Sequence, residues 1–231
     1  MILEEYLLEV AKLVPGEALP LGQTEIIKAV YKALSVHSRI RPRIVVEDIA
    51  GTGSFDYATA SLSSWDVQFS RIIQVEYPVD DTSDTPNILE DDEWNLYEKP
   101  SGSCLRFVAA IPAVGESIRV TYTALHGFDD SDVCTVPACD EEGVQCLAAS
   151  YFADMLAAYY AQNQEATLGA EVVDQTSKRR EYAALAKRYE KQYEAHMGLG
   201  QEKVKPASYT QDQDVVYPWG LDRVTHPRKY R

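Results

Sequence analysis

One short motif and one scattered set of side chains could support chemistry. Gly51-Thr52-Gly53 follows an apolar run, which is where a dinucleotide-binding loop would sit. Asp56 occupies the place of that motif's third glycine, and the residues after it alternate instead of starting a helix. A phosphate would therefore meet no helix N-terminus. His126, Cys134 and Cys139 could gather around zinc, but their spacing is unlike that of zinc ligand pairs and a fourth ligand is missing. We expect a turn, two buried cysteines and a surface histidine.

Carboxylates are abundant, so a general acid paired with a base is not excluded by counting. Between Ile72 and Glu98 the chain has nine acidic residues and no Lys or Arg. We define the acidic loop by Asp80, Asp81, Asp84, Glu90, Asp91 and Asp92. It lacks the ligand spacing of a calcium-binding loop, so we expect a solvated segment that repels DNA phosphates. No GKS, HExxH or GxSxG motif occurs. We expect no catalytic residue, no metal site and no cofactor, and hence no enzyme.

Charge and composition narrow the function classes further. The 231 residues carry a formal net charge of -14, so a nucleic-acid groove is not the default interpretation. The cysteines lack CxxC spacing, and Cys139 and Cys146 would lie about 10 Å apart on a helix, too far for a disulfide. We expect buried thiols in a reducing compartment. The N-terminus lacks the basic start of a signal peptide, and no apolar run approaches the ~20 residues of a membrane helix.

Helical periodicity dominates both ends of the chain. It predicts helices over residues 2–14, from Thr24 to about Leu34, from Pro137 onward, and from about Thr176 to His196. The third has a continuous apolar face, which we assign to the core or to an inter-subunit contact: Val144, Leu147, Tyr151, Met155 and Tyr159. The fourth combines Tyr and Leu on one side with Lys and Arg elsewhere. We expect ion pairs along its exposed face.

The region 41–128 alternates apolar and polar residues and predicts about six short strands. One strand should place Ile73, Val75 and Tyr77 on the same face. The strongest hairpin signal joins 105–111 to 118–122 through the turn at Pro112. The fold class is therefore α+β: a helical bundle from 1–40 and 135–199, an inserted antiparallel β domain at 41–128, and an extended C-terminal arm at 200–231.

The C-terminal arm has no helical or strand period. Several apolar residues lie among its polar ones, and its last ten residues are strongly basic. Because about thirty residues cannot form a core of their own, we expect the arm to order against a partner. Its candidate contact residues are Tyr217, Trp219, Leu221, Arg223, Arg228, Lys229, Tyr230 and Arg231.

A set of short strings resembles one protein family over about residues 24 to 165. These strings are 38–43, 51–57, 75–78, 92–97, 115–123 with His126, 136–138, and 159–161. Together they resemble the head-to-tail adaptor, or connector, proteins of tailed bacteriophages.

That resemblance implies a structural protein of the virion neck, made in the host cytoplasm. Such proteins form a ring, commonly of twelve subunits, under the portal. The ring would contact the portal on one side and a tail-side neck protein, such as a stopper or tail terminator, on the other. DNA would pass through its lumen without sequence-specific binding. The C-terminal arm would dock onto the portal or a neighbouring subunit, and no membrane would be involved.

Two alternatives belong to other function classes. The β domain could bind a carbohydrate or cell surface, with Trp65, Trp94 and Tyr97 as stacking platforms, although strands also bury such aromatics in cores. The chain could also be an enzyme whose acid pair or metal site is not recognisable from sequence.

Overall fold

A computed structural model describes residues 1–14, 21–100, 102–162 and 170–199, with only the backbone of 170–177. The helices are α1 (Leu3–Leu13), α2 (Gln23–Ile40), α3 (Ala138–Gln162) and α4 (Ala170–His196). The strands are β1 (Arg43–Ala50), β2 (Asp56–Ala58), β3 (Ile72–Glu76), β4 (Trp94–Lys99), β5 (Gly102–Phe107) and β6 (Ser117–Ala124). Helices on both sides of a strand region confirm the predicted α+β class. None of the described helices has the length and apolarity to cross a membrane.

The helices share one hydrophobic core with α3 at its centre. Helix α3 contacts α1, α2 and α4, and Tyr6, Leu34, Phe152 and Leu156 are fully buried there. The predicted apolar face of α3 lies in this core or against it. Val144 and Leu147 are buried, Tyr151 and Met155 are partly buried against them, and Tyr159 contacts Tyr160 with ring centroids 5.6 Å apart.

The strands form two three-stranded antiparallel sheets, in the orders β1-β6-β3 and β2-β5-β4. Both sheets contribute to a second hydrophobic core, in which Val75, Phe107, Val120 and Tyr122 are almost completely buried. Phe107 meets Tyr57 and Tyr77 in edge-to-face contacts, with centroids 5.5 Å and 5.9 Å apart. Residues Met1–Met197 form one compact unit that contains both cores.

The predicted hairpin between 105–111 and 118–122 is wrong. Strand β5 pairs with β4 and β2, whereas β6 pairs with β1 and β3. The actual hairpin is β4–β5, in which Lys99 faces Gly102. The turn near Pro112 instead bonds to the loop after β1, because the Gly51 amide donates to the Glu116 carbonyl at 2.7 Å. Because of that contact, β6 joins the sheet of β1 and β3 instead of pairing with β5.

The orientation of one side chain and the end of one helix also differ from the sequence prediction. A bulge between Ile72 and Gln74 turns Ile73 outward to 49% exposure, so it does not share a face with buried Val75. Helix α2 continues to Ile40 instead of ending near Leu34. The extension is stabilised because the buried Ser38 hydroxyl donates to the Leu34 carbonyl at 2.7 Å.

Candidate functional site

Polar side chains gather where the C-terminal end of α2, the end of β6, the start of α3 and the end of α4 meet. We define the polar node as His37, Arg41, His126, Asp140, Tyr193 and His196. Four of them are buried, whereas Arg41 and His196 lie exposed at the edge of the cluster. Titratable side chains grouped in this way are a candidate site for chemistry.

The extra turn of α2 places the first part of the polar node. Because α2 reaches Ile40, His37 is fully buried and the Ser38 hydroxyl accepts a hydrogen bond from the His126 amide at 2.8 Å. The His126 ring lies between two backbone carbonyls, with Nε2 3.0 Å from the Arg41 oxygen and Nδ1 3.1 Å from the Thr135 oxygen. Burial lowers the pKa of His126, although both carbonyls oppose that shift.

His37 is neutral, and its tautomer follows from its neighbours. Burial raises the pKa of Tyr193 to about 12, so the tyrosine hydroxyl is neutral at pH 7, and it lies 3.2 Å from His37 Nδ1. Because the Asp140 carboxylate lies on the Nε2 side of the ring, we assign the imidazole proton to Nε2, and Nδ1 then accepts from the tyrosine hydroxyl. The Nε2–H group then points toward Asp140 Oδ2, 4.0 Å away, without a hydrogen bond. Burial is the largest cause that lowers the pKa of His37 to about 4, and the nearby His126 ring adds to it.

Asp140 connects three helices through one buried carboxylate. Its oxygens accept bonds from Arg41 Nη1 at 2.8 and 2.9 Å and lie 3.3 Å from His196 Nε2. Burial is the largest single influence on the pKa of Asp140 and raises it. The hydrogen bonds and charge of Arg41, together with His196 and His37, outweigh burial, so the pKa lies below its usual value. Asp140 is therefore charged and engaged with protein partners. The polar node therefore acts as a clamp that joins the ends of α2, α3 and α4.

Replacing Tyr193 with Phe tests the clamp. The change removes the donor to His37 Nδ1 and leaves a buried acceptor unsatisfied, so we expect a loss of about 1 to 2 kcal/mol of unfolding free energy. Chemical denaturation at pH 7 measures the loss. Tyr189→Phe is the matched control, because the Tyr189 hydroxyl reaches a different partner, the Leu13 carbonyl. If the pH dependence of the unfolding free energy changes in Tyr193→Phe and not in Tyr189→Phe, the result supports the assigned tautomer of His37.

His126, Cys134 and Cys139, which the sequence analysis weighed as possible zinc ligands, do not form a ligand cluster in the described residues. In the ranges that the structure covers, no group of three or more His, Cys, Asp or Glu side chains could hold a metal ion. His126, expected at the surface, is buried because its ring closes the gap between α2 and β6. Cys134 is buried as expected, whereas Cys139 is exposed because it lies in the first turn of α3.

The acidic loop lies in the connection between β3 and β4. All six of its defining side chains are exposed. Asp81 pairs with Arg119 Nη1 at 2.9 Å, and Asp80 accepts a bond from the Thr82 amide at 2.9 Å. Among the described ion pairs none involves Asp84, Glu90, Asp91 or Asp92. Ile88, midway along the loop, is 48% exposed and forms an antiparallel bridge with Glu76.

Helix α4 presents a basic face that we did not resolve from the sequence. We define the basic stripe by Arg180, Lys187, Arg188 and Lys191, all exposed. The expectation of ion pairs along this face is wrong for these four residues, since the ion pairs of the described chain include none of them. At 100° per residue, Glu190 lies on a different side of the helix.

Large apolar side chains also face outward on the strand region. Ile44 and Val46 of β1 are 63% and 57% exposed on the solvent side of the first sheet. Strand β6 separates them from the outward-facing Ile73 of β3. In the loops, Val67 and Val114 are 74% and 80% exposed. These residues fill no part of either core.

The aromatic residues considered as sugar platforms are used otherwise. Trp65 and Trp94 are partly buried against the strand core, and the Trp65 ring lies 5.7 Å from that of Tyr122. The Arg106 guanidinium covers the Tyr97 ring at 4.0 Å. This arrangement favours the core interpretation for Trp65 and Trp94. Tyr97 is 42% exposed and lies outside both cores, with one ring face covered by Arg106.

The predicted contact residues of the C-terminal arm, from Tyr217 to Arg231, lie outside the described residues. The polar node, by contrast, was missed by sequence reasoning. Its members are spread from residue 37 to residue 196 and share no motif. The sequence did offer one indication of the polar node: Arg41, Asp140 and His196 lie at the ends of helices. Side chains at helix ends commonly bind free backbone groups or interact with the helix dipole.

Comparisons with known proteins give little further guidance. No family model and no curated protein matches this chain. Among solved structures, the chain is similar to a chain from the neck of an empty GTA particle computed with C6 symmetry, at 14% identity over 78% of this chain and 87% of that chain. The TM-score is 0.24, a value at which the likeness supports no conclusion about fold or function.

Proposed function

We propose that this chain is a structural, non-enzymatic protein of a virion neck. In this role it forms a ring under the portal, with twelve subunits as the working number, joins the portal to a tail-side neck protein, and lets DNA pass through the lumen. The observation that carries the proposal is the large apolar surface left uncovered on an otherwise well-packed fold. The sequence resemblance to head-to-tail adaptors supplies the biological setting.

The apolar surface favours assembly over solitary function. Eighteen large hydrophobic side chains are exposed in the described chain, and eleven of them lie in the strand region, so the excess is concentrated there. Single exposed hydrophobic residues are ordinary, but the grouping of Ile44, Val46 and Ile73 on one sheet face is typical of an interaction surface. These side chains belong to neither core of the described residues, so burial against another molecule is favourable for this surface.

Charge supports a conduit for DNA rather than a DNA-binding site. The net charge of -14 and the exposed acidic loop both repel phosphate, so duplex DNA could pass without being held. The groups most suited to catalysis, His37 and Asp140, are buried and engaged in the polar node.

The decisive experiment is reconstitution with the portal protein of the same particle. The full-length chain alone should run as a monomer or weak oligomer, and addition of assembled portal should produce a ring-shaped complex visible by negative-stain microscopy. Light scattering on the eluted complex would give the subunit number. A chain that remains unbound at equal portal concentration, in low salt, would contradict the proposal.

Deletion of residues 222–231 tests the basic end of the C-terminal arm. The removed segment contains Arg223, Arg228, Lys229 and Arg231. If these charges dock onto the portal, the deletion should weaken binding most at low salt and least at high salt, because salt screens exposed charges. A pull-down over a salt series measures this. Replacing the four basic residues with Gln in the full chain is the control that separates charge from length, and equal binding by all three proteins would refute the role of the basic end.

A further inference from the structure

The basic stripe of α4 forms a compact cationic surface. At 100° and 1.5 Å per residue, Arg180, Lys187, Arg188 and Lys191 lie within an arc of about 100° and a length of about 16 Å. Ala184 lies among them and Ala195 lies one turn beyond Lys191 on the same arc, which Glu181 and Glu194 border on its two sides. A shallow groove of about 460 Å³ runs along this side, lined by Lys187, Arg188, Lys191, Gln192 and the two alanines. The stripe is thus a small apolar recess with a cationic border.

The acidic loop has the complementary composition. Exposed Ile88 stands between Asp84 and the run Glu90-Asp91-Asp92, so an apolar side chain is flanked by carboxylates. The loop follows β3 in the strand region, and the basic stripe lies on α4. No ion pair of the described chain joins the loop to the stripe. The residues that define both surfaces are exposed in the part of the chain that the structure describes.

We propose that the basic stripe of one copy binds the acidic loop of the next copy. Carboxylates of the loop would face the Lys and Arg side chains, and Ile88 would cover the recess at Ala184 and Ala195. Because the two surfaces are different, the contact is heterologous, and heterologous contacts close into rings when the rotation between neighbours permits. This inference rests on the proposed ring and names the surfaces that form it.

Charge distinguishes this occupant from two others. The basic end of the C-terminal arm carries the same sign as the stripe, so it would be repelled. Duplex DNA would meet the stripe but also the -14 net charge of the whole chain, which opposes its approach. A second copy meets the same overall repulsion. Unlike DNA, however, it concentrates negative charge on one exposed loop and carries a basic stripe of its own that can bind a further copy. Exposed ion pairs of this kind set orientation and association rate more than total affinity, so the contact should be strongly salt-dependent.

The test uses two charge-reversed full-length chains. The stripe variant is Lys187→Glu with Lys191→Glu, and the loop variant is Asp84→Lys with Asp91→Lys. The matched control is Lys28→Glu with Arg39→Glu, which changes net charge as the stripe variant does but at exposed sites on α2. Self-association is measured by sedimentation velocity over a concentration series in low and high salt, with far-ultraviolet circular dichroism to verify folding.

At low salt, the self-association constant of each variant alone should be about tenfold or more below that of the wild type. The self-association constant of the control should equal that of the wild type. Mixing the two variants in equal amounts should restore association, because the acidic loop of the stripe variant can then bind the unchanged stripe of the loop variant, and the two reversed surfaces can bind each other. The wild-type association should weaken in high salt.

Three outcomes would overturn the inference. The wild-type chain stays monomeric at its highest soluble concentration in low salt, or the mixture of the two variants does not recover association. The third is that the wild-type chain binds duplex DNA and the stripe variant does not. The portal experiment separates this inference from the proposed function. Self-association through these surfaces without portal binding leaves the contact standing and refutes the neck role. Portal binding with no recovery in the mixture leaves the neck role standing and refutes the contact.

Discussion

Lowering the pH from 8 to 4 is expected to destabilise the fold by about 3 kcal/mol through His37 alone. Burial holds the pKa of this imidazole at about 4 in the folded protein, against about 6.5 for an exposed histidine. Between these values the unfolded chain binds a proton that the folded chain does not, so the free energy of unfolding falls as pH falls. The contribution of neutral His37 to the free energy of unfolding is fully present above pH 6.5 and is lost as the pH approaches 4.

Every charged group that faces His37 acts on this titration. His126 at the end of β6, Arg41 at the end of α2, and His196 on α4 lower its pKa, whereas Asp140 on α3 raises it. The pKa of His126 is itself lowered by burial, so it adds destabilisation of the same sign. The pKa of Asp140 lies below its ordinary value, so most of its own contribution is lost at lower pH than that of His37.

Urea denaturation followed at 222 nm, at half-unit steps from pH 8 to pH 4, measures the effect. His37→Gln is the informative variant, because the amide can still accept from Tyr193 but does not titrate. It should be less stable than the wild type at pH 8, yet its stability should fall less steeply toward pH 4. If both proteins lose stability with the same slope, His37 is not a buried neutral histidine.

Replacing Gly51 with Ala is expected to cost about 2 to 4 kcal/mol, because overlap with a fixed backbone atom cannot be relieved by a rotamer change. A Cβ at this position would lie 2.2 Å from the Ala113 carbonyl oxygen and 3.1 Å from that of Glu116. The same loop contact carries the bonds from the Gly51 amide to Glu116 and from the Gly115 amide to Gly51, at 2.7 and 2.9 Å. Separation of the two loops would strain the pairing of β1 with β6.

Gly127→Ala provides the control for the Gly51 experiment. A Cβ there meets nothing within 4 Å, so its effect should stay within about 0.5 kcal/mol, as for most substitutions that disturb no contact. Thermal unfolding of the two variants beside the wild type gives the comparison. Equal melting temperatures for Gly51→Ala and Gly127→Ala would mean that the close approach of the two loops does not exist in solution.

Apolar periodicity was enough to predict the helices and the number of strands. The apolar face of α3, which includes Val144 and Leu147, repeats at helical spacing, and β6 alternates with a period of two. Both patterns arise from side chains that face a core, and both can be recognised from residues a few positions apart. Strand partners were not predictable in the same way. The turn at Pro112 has an ordinary hairpin composition, but its partner is Gly51, some sixty residues earlier, and short-range turn chemistry contains no information about so distant a hydrogen bond.

The sequence by itself determined the α+β class, the high negative charge and the exposed acidic loop, because each follows from composition or from neighbours within a few residues. Only the tertiary structure decided that His37, His126 and Asp140 form one polar node, that Ile73 faces solvent, and that the basic stripe of α4 has no partner among the described ion pairs. These features depend on the close approach of residues far apart in the chain. Their physical basis is burial and contact, which a linear pattern of residue types does not specify.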